Sequence, residues 1–168
     1  MKTYDTHIIQ HVIHIKTSVK PFQQQLGKMH PKLDILIQNE VNMLLDAKIL
    51  FRVRHSKWVE NLVPVRKKSR EIRLCVDFQN LNRAPYKHNY PVPPMEQILQ
   101  MVSSSELFSL LDGFSGYNQV LVVEQDRLKT TFHTKCVTFS YRRMNFGLIN
   151  VGATFQRVMD IAFRGLID

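Results

Sequence analysis

One carboxylate stands out as a candidate for chemistry because of where the sequence places it. Asp112 ends the apolar run FSLL and opens the turn DGFSG, and a second apolar run, VLVV, follows at Val120. An Asp before Gly often shapes a turn or caps a helix by accepting hydrogen bonds from nearby N–H groups. Alternatively it binds metal, because Mg²⁺ prefers carboxylate oxygens and one rigidly placed Asp can anchor ions that also hold substrate phosphates. The spacing by itself leaves both interpretations open.

A second candidate feature is a concentration of positive charge between Lys48 and Arg73. This segment holds nine basic residues against two acidic ones, a net +7 out of +9 for the 168-residue chain. Its centre is the turn RKKSRE, with Arg66, Lys67 and Lys68, between two apolar runs. Such a turn can be merely a solvated surface, but this density of charge also suits phosphate binding. The excess charge favours a polyanionic partner such as nucleic acid.

Other patterns do not predict a site or a secreted protein. His7, His11 and His14 would share a helix face, but the β-branched residues among them favour an extended segment over a zinc site. Cys75 and Cys136 lie far apart in apolar runs, which favours reduced, buried thiols over a disulfide. No apolar run reaches membrane-spanning length, and the first ten residues lack the apolar core of a signal peptide. An intracellular protein is expected.

The elements that position these residues are predicted to mix helices and strands in an α+β fold. Residues 1–30 are predicted to form an extended arm, with Pro31 at the first turn of a helix over residues 32–47. Residues 61–81 are predicted to form a hairpin that carries the basic turn. Trp58 is expected to serve packing.

The second half of the chain is predicted to alternate short elements. Prolines break residues 85–94, and a short helix is expected near Met95, with Ile98, Leu99 and Val102 on its buried face. The runs QVLVVE, KTTFHT and VTFSYRRM are strand-like. A final helix from about Ala153 is expected to bury Phe155, Val158, Met159, Ala162, Phe163 and Leu166.

Four blocks of sequence together resemble a known family. They are VPVRKKSREIRLCVDFQNLN, NYPVPPMEQIL, FSLLDGFSGYNQV and YRRMNFGLINVGATFQRVMD. In order and spacing they resemble the reverse transcriptase of gypsy-type LTR retrotransposons. The resemblance implies a right-hand polymerase. Residues 31–168 would supply the fingers and the first part of the palm, an antiparallel sheet packed with helices, in an incomplete domain that ends before the Tyr-x-Asp-Asp hairpin.

The resemblance also implies an activity, a cofactor and partners. The family extends a primer 3′ end with dNTPs on an RNA or DNA template, using two Mg²⁺ ions for phosphoryl transfer. In the parent polyprotein, ribonuclease H and integrase domains accompany the polymerase. The expected location is a cytoplasmic particle or the nucleus, with no membrane partner.

Site residues are carried over by their position in the matching blocks. Asp112 matches the first catalytic aspartate, a ligand to both Mg²⁺ ions. Tyr117 matches the steric gate that excludes a 2′ hydroxyl. The implied nucleotide-binding residues are Lys67, Arg73, Gly113, Phe114, Tyr117, Phe146 and Gly147. The implied template or primer contacts are Arg66, Lys68 and Gln156.

The chain departs from the family pattern at four points. The Tyr-x-Asp-Asp motif with the other two catalytic aspartates does not occur in the 168 residues. Asn145 stands in place of a usual Pro, Arg70 in place of Gly, and Gln79 in place of Arg. A single carboxylate would hold two metal ions poorly, so catalysis by this chain alone is not expected. The alternatives are a non-catalytic nucleic-acid-binding fragment and a decayed relic that does not fold stably.

Overall fold

A five-stranded sheet forms the centre of the computed structural model, which describes residues 2–66, 72–91, 93–103, 105–107 and 115–165. Its strands are β1 (Leu50–Val53), β2 (Glu60–Arg66), β3 (Ile72–Val76), β4 (Phe132–His133) and β5 (Thr138–Tyr141). They lie in the order β1-β5-β4-β2-β3. Neighbouring strands are antiparallel except β2 and β4, which are parallel. The predicted α+β class is confirmed, and the expected antiparallel sheet contains one parallel pair.

The described residues form four α-helices: α1 (Asp34–Asp46), α2 (Gln79–Arg83), α3 (Met95–Ser103) and α4 (Val151–Ala162). Short 3₁₀ segments occur at Pro31–Leu33, Gly116–Gln119 and Glu124–Thr130. The predicted helix over residues 32–47 is confirmed as the turn at Pro31 followed by α1, which buries Ile37 and Val41. None of these helices is long and apolar enough to cross a membrane.

The predicted hairpin is confirmed as the antiparallel pair β2–β3, in which Val63 lies opposite Cys75 and Val65 opposite Arg73. Side chains alternate between the two faces of a strand. Ile72, Leu74 and Val76 are therefore buried in the core while Arg73 between them faces solvent. The basic turn RKKSRE begins at Arg66, and its residues 67–71 lie outside the described residues.

The N-terminal arm is extended, as predicted, and it packs onto the rest of the chain. Isolated bridges join His11 to Val122 and Ile15 to Pro85. Ile9 and Ile13 belong to the same hydrophobic core as the sheet. The arm thus shares its core with the residues that follow, and the predicted division of the chain at residue 30 remains a prediction.

Two local predictions in the sheet region were wrong. The run QVLVVE is not a regular strand: Leu121 and Val122 make only isolated bridges, to Arg143 and His11, and a 3₁₀ segment begins at Glu124. One bridge on each side pairs the backbone of this stretch, and no continuous ladder of strand hydrogen bonds forms along it. Cys75 is half-buried, but Cys136 is exposed rather than buried. Both cysteines are free.

The predicted helices near Met95 and Ala153 exist, but the expected buried faces were partly wrong. In α3, Ile98 and Leu99 are exposed, and no residue of this helix is buried by the described part of the chain. In α4, Val158 is buried and Phe155 and Met159 pack against the core. Ala162 and Phe163 are exposed because they follow the last turn that faces the sheet, and Leu166 lies outside the described residues.

Candidate functional site

Three aromatic rings from distant parts of the sequence meet at Tyr117. The Tyr117 ring is 4.5 Å from that of Phe146 and 4.9 Å from that of Phe155, centroid to centroid, and both pairs are edge-to-face. Such pairs contribute about 0.5–1.5 kcal/mol beyond the area they bury. The Phe146 side chain is 59% exposed, so it forms the outer wall of this aromatic cluster. The structure thus brings together two residues implied by the resemblance, Tyr117 and Phe146, and adds Phe155.

Gly116 allows the aromatic cluster to close. A Cβ at this position would lie 2.8 Å from Cε2 and 2.9 Å from Cζ of Phe155, closer than real Cβ contacts. The preceding residue, Ser115, has a φ of 48°, in the left-handed region that L-residues other than Gly, Asn and Asp rarely adopt. Close approach at Gly116 and an unusual backbone at Ser115 hold Tyr117 in place, five residues after Asp112 in the sequence.

Asn82, on α2 just after the β2–β3 hairpin, holds the turn that contains Phe146 and Gly147. The Asn82 Nδ2 donates to the Gly147 carbonyl at 2.6 Å, and its Oδ1 accepts from the Ile149 N–H at 2.9 Å. Gly147 has a φ of +92°, where glycine is favoured, and a Cβ there would lie 3.4 Å from the Phe78 ring. The turn therefore lies against the end of β3, the strand that carries Arg73.

The α4 helix, which carries Phe155 and Gln156, is tied down from its other side by the arm. The Thr154 hydroxyl donates to the Asn150 carbonyl at 3.1 Å and accepts from Nδ1 of the buried His11 at 2.9 Å. Burial, with a smaller contribution from the charge of His88, lowers the pKa of His11 to about 4. His11 is therefore neutral at pH 7, and its neutral ring can lie inside the core beside α4.

The loop before α4 is also bonded to the segment that follows α2. Asn150 accepts from the His88 N–H at 3.0 Å and donates to the Tyr86 carbonyl at 2.8 Å. The side-chain amides of Asn82 and Asn150 thus join the loop 146–150 to residues 78–88. The loop is therefore fixed by side-chain hydrogen bonds rather than by sheet pairing.

Asn145, which replaces the usual Pro, has a hydrogen bond of its own. Its side chain bonds to Tyr141, whose pKa burial raises. The backbone freedom expected from the loss of Pro is thus opposed by a side-chain contact to the core.

Three further residues implied by the resemblance lie on other elements. Arg66 and Arg73 are exposed on β2 and β3. Gln156 lies on α4, and its Nε2 donates to Asp160 at 3.0 Å. The other Asp160 oxygen accepts from the Tyr90 hydroxyl, and the Arg157 guanidinium lies 5.0 Å from the Tyr90 ring. Gln156 thus belongs to a polar cluster on the outer face of α4.

Five of the predicted site residues lie outside the described residues: Lys67, Lys68, Asp112, Gly113 and Phe114. Across the ranges that the structure describes, no three His, Cys, Asp or Glu side chains come together as a metal site would require. A metal site with three such ligands would therefore need at least one residue outside those ranges, such as Asp112.

The sequence did not identify Asn82, Asn150, Phe155 or His11 as contributors to this region. The sequence offers a signal for Phe155, which lies one position before Gln156 on an amphipathic helix. The same helical pattern predicts only a core position for it. For the two asparagines the only signal is their position beside a short helix and before α4, which is common in turns of every kind. Their partners are backbone groups about 60 residues away, so spacing cannot reveal them.

Comparison with known proteins identifies the family of the chain. Residues 65–168 match the family model described as reverse transcriptase (RNA-dependent DNA polymerase). The chain is 30% identical over 170 residues to the retrovirus-related Pol polyprotein from transposon 297 of Drosophila melanogaster, covering 97% of this chain and 16% of that protein. It is 34% identical over 134 residues to the corresponding polyprotein from transposon gypsy, covering 76% of this chain and 13% of that protein.

Solved structures show the same fold. The crystal structure of prototype foamy virus protease-reverse transcriptase superposes with a TM-score of 0.79 at 21% identity, covering 90% of this chain and 20% of that chain. The foamy viral protein in complex with an RNA/DNA hybrid gives a TM-score of 0.75 at 18% identity, covering 94% of this chain and 22% of that one. The chain thus spans a small part of each of these four proteins.

Proposed function

The chain belongs to the reverse transcriptase (RNA-dependent DNA polymerase) family, and from that membership we propose that it is the fingers and first palm region of a retrotransposon polymerase. In the parent polyprotein it acts with ribonuclease H and integrase domains, inside the cell. Its substrates are dNTPs and a primer annealed to an RNA or DNA template. The observation that supports this proposal is the convergence of Tyr117 with Phe146 and Phe155, directly after the Asp112 turn.

Each residue has a role in this proposal. The edge of Tyr117 lies under the sugar and excludes a 2′ hydroxyl, while Phe146 forms the facing wall. Arg73 and Lys67 on the hairpin bind the triphosphate, for which the planar guanidinium of Arg73 offers two parallel hydrogen bonds. The amides of Gly113 and Phe114 face the phosphates. Arg66, Lys68 and Gln156 contact the template or primer.

Asp112 is the proposed ligand for Mg²⁺. Bound there, Mg²⁺ supplies activation of the primer 3′ hydroxyl and neutralisation of phosphate charge. Because the 168 residues contain one carboxylate that matches the family's metal ligands, we expect primer extension to require the Tyr-x-Asp-Asp hairpin as well.

The first prediction concerns Asp112. We expect the chain, bound to a DNA primer on an RNA template, to bind dNTP in the presence of Mg²⁺, and Asp112→Asn to weaken this binding by about tenfold or more, because the amide loses the charge that holds the ion. Fluorescence titration with a labelled dNTP, with and without Mg²⁺, measures the effect. The matched control is Asp46→Asn, the same change at an exposed residue of α1.

Equal dNTP affinity in wild type and Asp112→Asn would contradict the proposal. Duplex binding without any dNTP binding by the wild type would instead favour a non-catalytic nucleic-acid-binding role.

A further inference from the structure

The Asn82 side chain makes two hydrogen bonds that fix the orientation of its amide. The Gly147 carbonyl can only accept and the Ile149 N–H can only donate. Nδ2 therefore lies toward Gly147, at 2.6 Å, and Oδ1 toward Ile149, at 2.9 Å. Asn82 lies on α2, which follows β3 after two residues. The Asn82 side chain thus joins α2, just after the hairpin, to the turn that precedes α4.

The position of this turn determines where the Phe146 ring lies. Phe146 is mostly exposed, and its ring pairs edge-to-face with that of Tyr117 at 4.5 Å. The turn is not part of a strand, and a glycine at residue 147 gives its backbone access to several conformations. A displacement of the turn would therefore move Phe146 away from Tyr117.

We propose that Asn82 is a positioning residue that holds the Phe146–Gly147 turn against Tyr117 and thereby sets the shape of the nucleotide pocket. The inference rests on the proposed function for the identity of the ligand, a 2′-deoxynucleoside triphosphate. Asn82 does not contact that ligand. It acts through two backbone groups of the turn, and it couples the pocket to the hairpin that carries Arg73.

The decisive variant is Asn82→Asp, because its effect depends on protonation. At pH 8 the carboxylate still accepts from the Ile149 N–H but presents a second acceptor to the Gly147 carbonyl, which repels it. A protonated carboxyl has one O–H donor and one acceptor, the same pair that the amide offers. Lowering the pH from 8 to 5 therefore raises the protonated fraction of the variant carboxyl and restores both hydrogen bonds in that fraction. The facing carbonyl oxygen favours the neutral form, and the Ile149 N–H opposes it.

Two quantities are measured relative to wild type at the same pH: the hydrogen-exchange protection of the Ile149 amide, and the Kd for dNTP with Mg²⁺ and primer–template. At pH 8 we expect Asn82→Asp to lower the protection and raise the Kd about tenfold or more. At pH 5 we expect both to return part of the way to wild type. Comparison at equal pH removes the titration of His11, His88 and Glu60. Asn39→Asp on the exposed face of α1 is the matched control and should change neither quantity.

The outcomes separate this inference from the proposed function. Loss that persists equally at pH 5, or no loss at pH 8, would overturn the positioning role. If wild type binds no dNTP, the proposed function fails, and the Ile149 protection alone decides whether Asn82 holds the turn. If Asn82→Asp does not fold at pH 8, Asn82→Ala replaces it. That variant should show reduced Ile149 protection at both pH values, and full protection would overturn the inference.

Discussion

At the scale of single residues, this region depends on one close approach that only glycine permits. The Phe155 ring lies 2.8 Å from where a Cβ on residue 116 would be, and the same ring contacts Tyr117. The ring cannot move away without breaking its contact with Tyr117, so any larger side chain at residue 116 disturbs both.

Gly116→Ala should therefore destabilise the chain by about 1–3 kcal/mol, the usual cost of forcing an extra carbon into a packed contact. Urea denaturation followed by circular dichroism measures the free energy of unfolding. Gly152→Ala is the matched control, because a Cβ at residue 152 on α4 meets nothing within 4 Å. In a helix that substitution should be neutral or stabilising by up to about 1 kcal/mol. Equal effects of the two substitutions would show that the contact with Phe155 does not matter.

At the scale of elements, residues 9–15 of the N-terminal arm form a strap across the segment that follows Tyr117 and across α4. Backbone hydrogen bonds join His11 to Leu121 and Val123, at 2.8 and 3.0 Å, on the segment just after Tyr117. The His11 ring reaches Thr154 on α4, and Ile13 donates to the buried carboxylate of Asp126 at 2.7 Å. The arm therefore stabilises both elements that hold the aromatic cluster.

The strap should make stability depend on pH through His11. The folded state keeps the ring neutral down to about pH 4, whereas in the unfolded chain it protonates near 6.5. The unfolded state thus binds more protons in this window, and stability falls as pH falls from 6.5 to 4. Two titratable groups on neighbouring segments face the His11 ring. His88 disfavours the charged form of that ring, and Asp126 favours it.

We expect His11→Gln to remove a pH dependence of up to about 3 kcal/mol between pH 6.5 and 4. Denaturation at several pH values measures the difference between wild type and variant. His7→Gln, at an exposed residue, is the control. Burial raises the pKa of Glu60 to about 7, which gives the opposite slope in both proteins and cancels in the comparison. Parallel stability curves for wild type and His11→Gln would contradict this account.

At the scale of the whole molecule, most of the net charge of +9 lies in one segment of the sequence, which reaches both edges of the sheet because β1 and β3 are its outer strands. The segment from Lys48 to Arg73 includes β1, β2 and the start of β3, where Arg52, Arg54, Arg66 and Arg73 are exposed. Charges on a sheet hairpin have a fixed relation to one another, so they can match the spacing of phosphates along a duplex. This arrangement favours binding that depends on counterion release.

The affinity of the chain for a DNA duplex should therefore fall steeply with salt, and Arg66→Gln with Arg73→Gln should reduce the slope of log K against log salt by up to about 2. Fluorescence anisotropy over a range of NaCl concentrations measures the slope. Lys28→Gln with Lys32→Gln removes the same charge from exposed positions before α1 and should have little effect on the slope. Equal slopes for the two double variants would indicate attraction by net charge alone, without a specific contact at the hairpin.

Much of this protein was determined by its sequence alone. Local patterns predicted α1, the β2–β3 hairpin and α4, because apolar spacing and turn residues act over a few positions. The ordered blocks also identified the family, which the comparisons confirm. Tyr117 and Phe146 followed from those blocks, whereas the assigned roles of all the site residues remain predictions.

Only the tertiary structure decided how the distant segments meet. The sequence suggested a strand at QVLVVE, where the structure has isolated bridges, and a buried face on α3, which the described residues do not bury. Each depends on partners elsewhere in the chain. Likewise Asn82, His11 and Phe155 act on groups far along the sequence, at Gly147, Thr154 and Gly116. Short-range spacing determines which elements form, but contacts between remote residues depend on packing, and packing determines the shape of the candidate pocket.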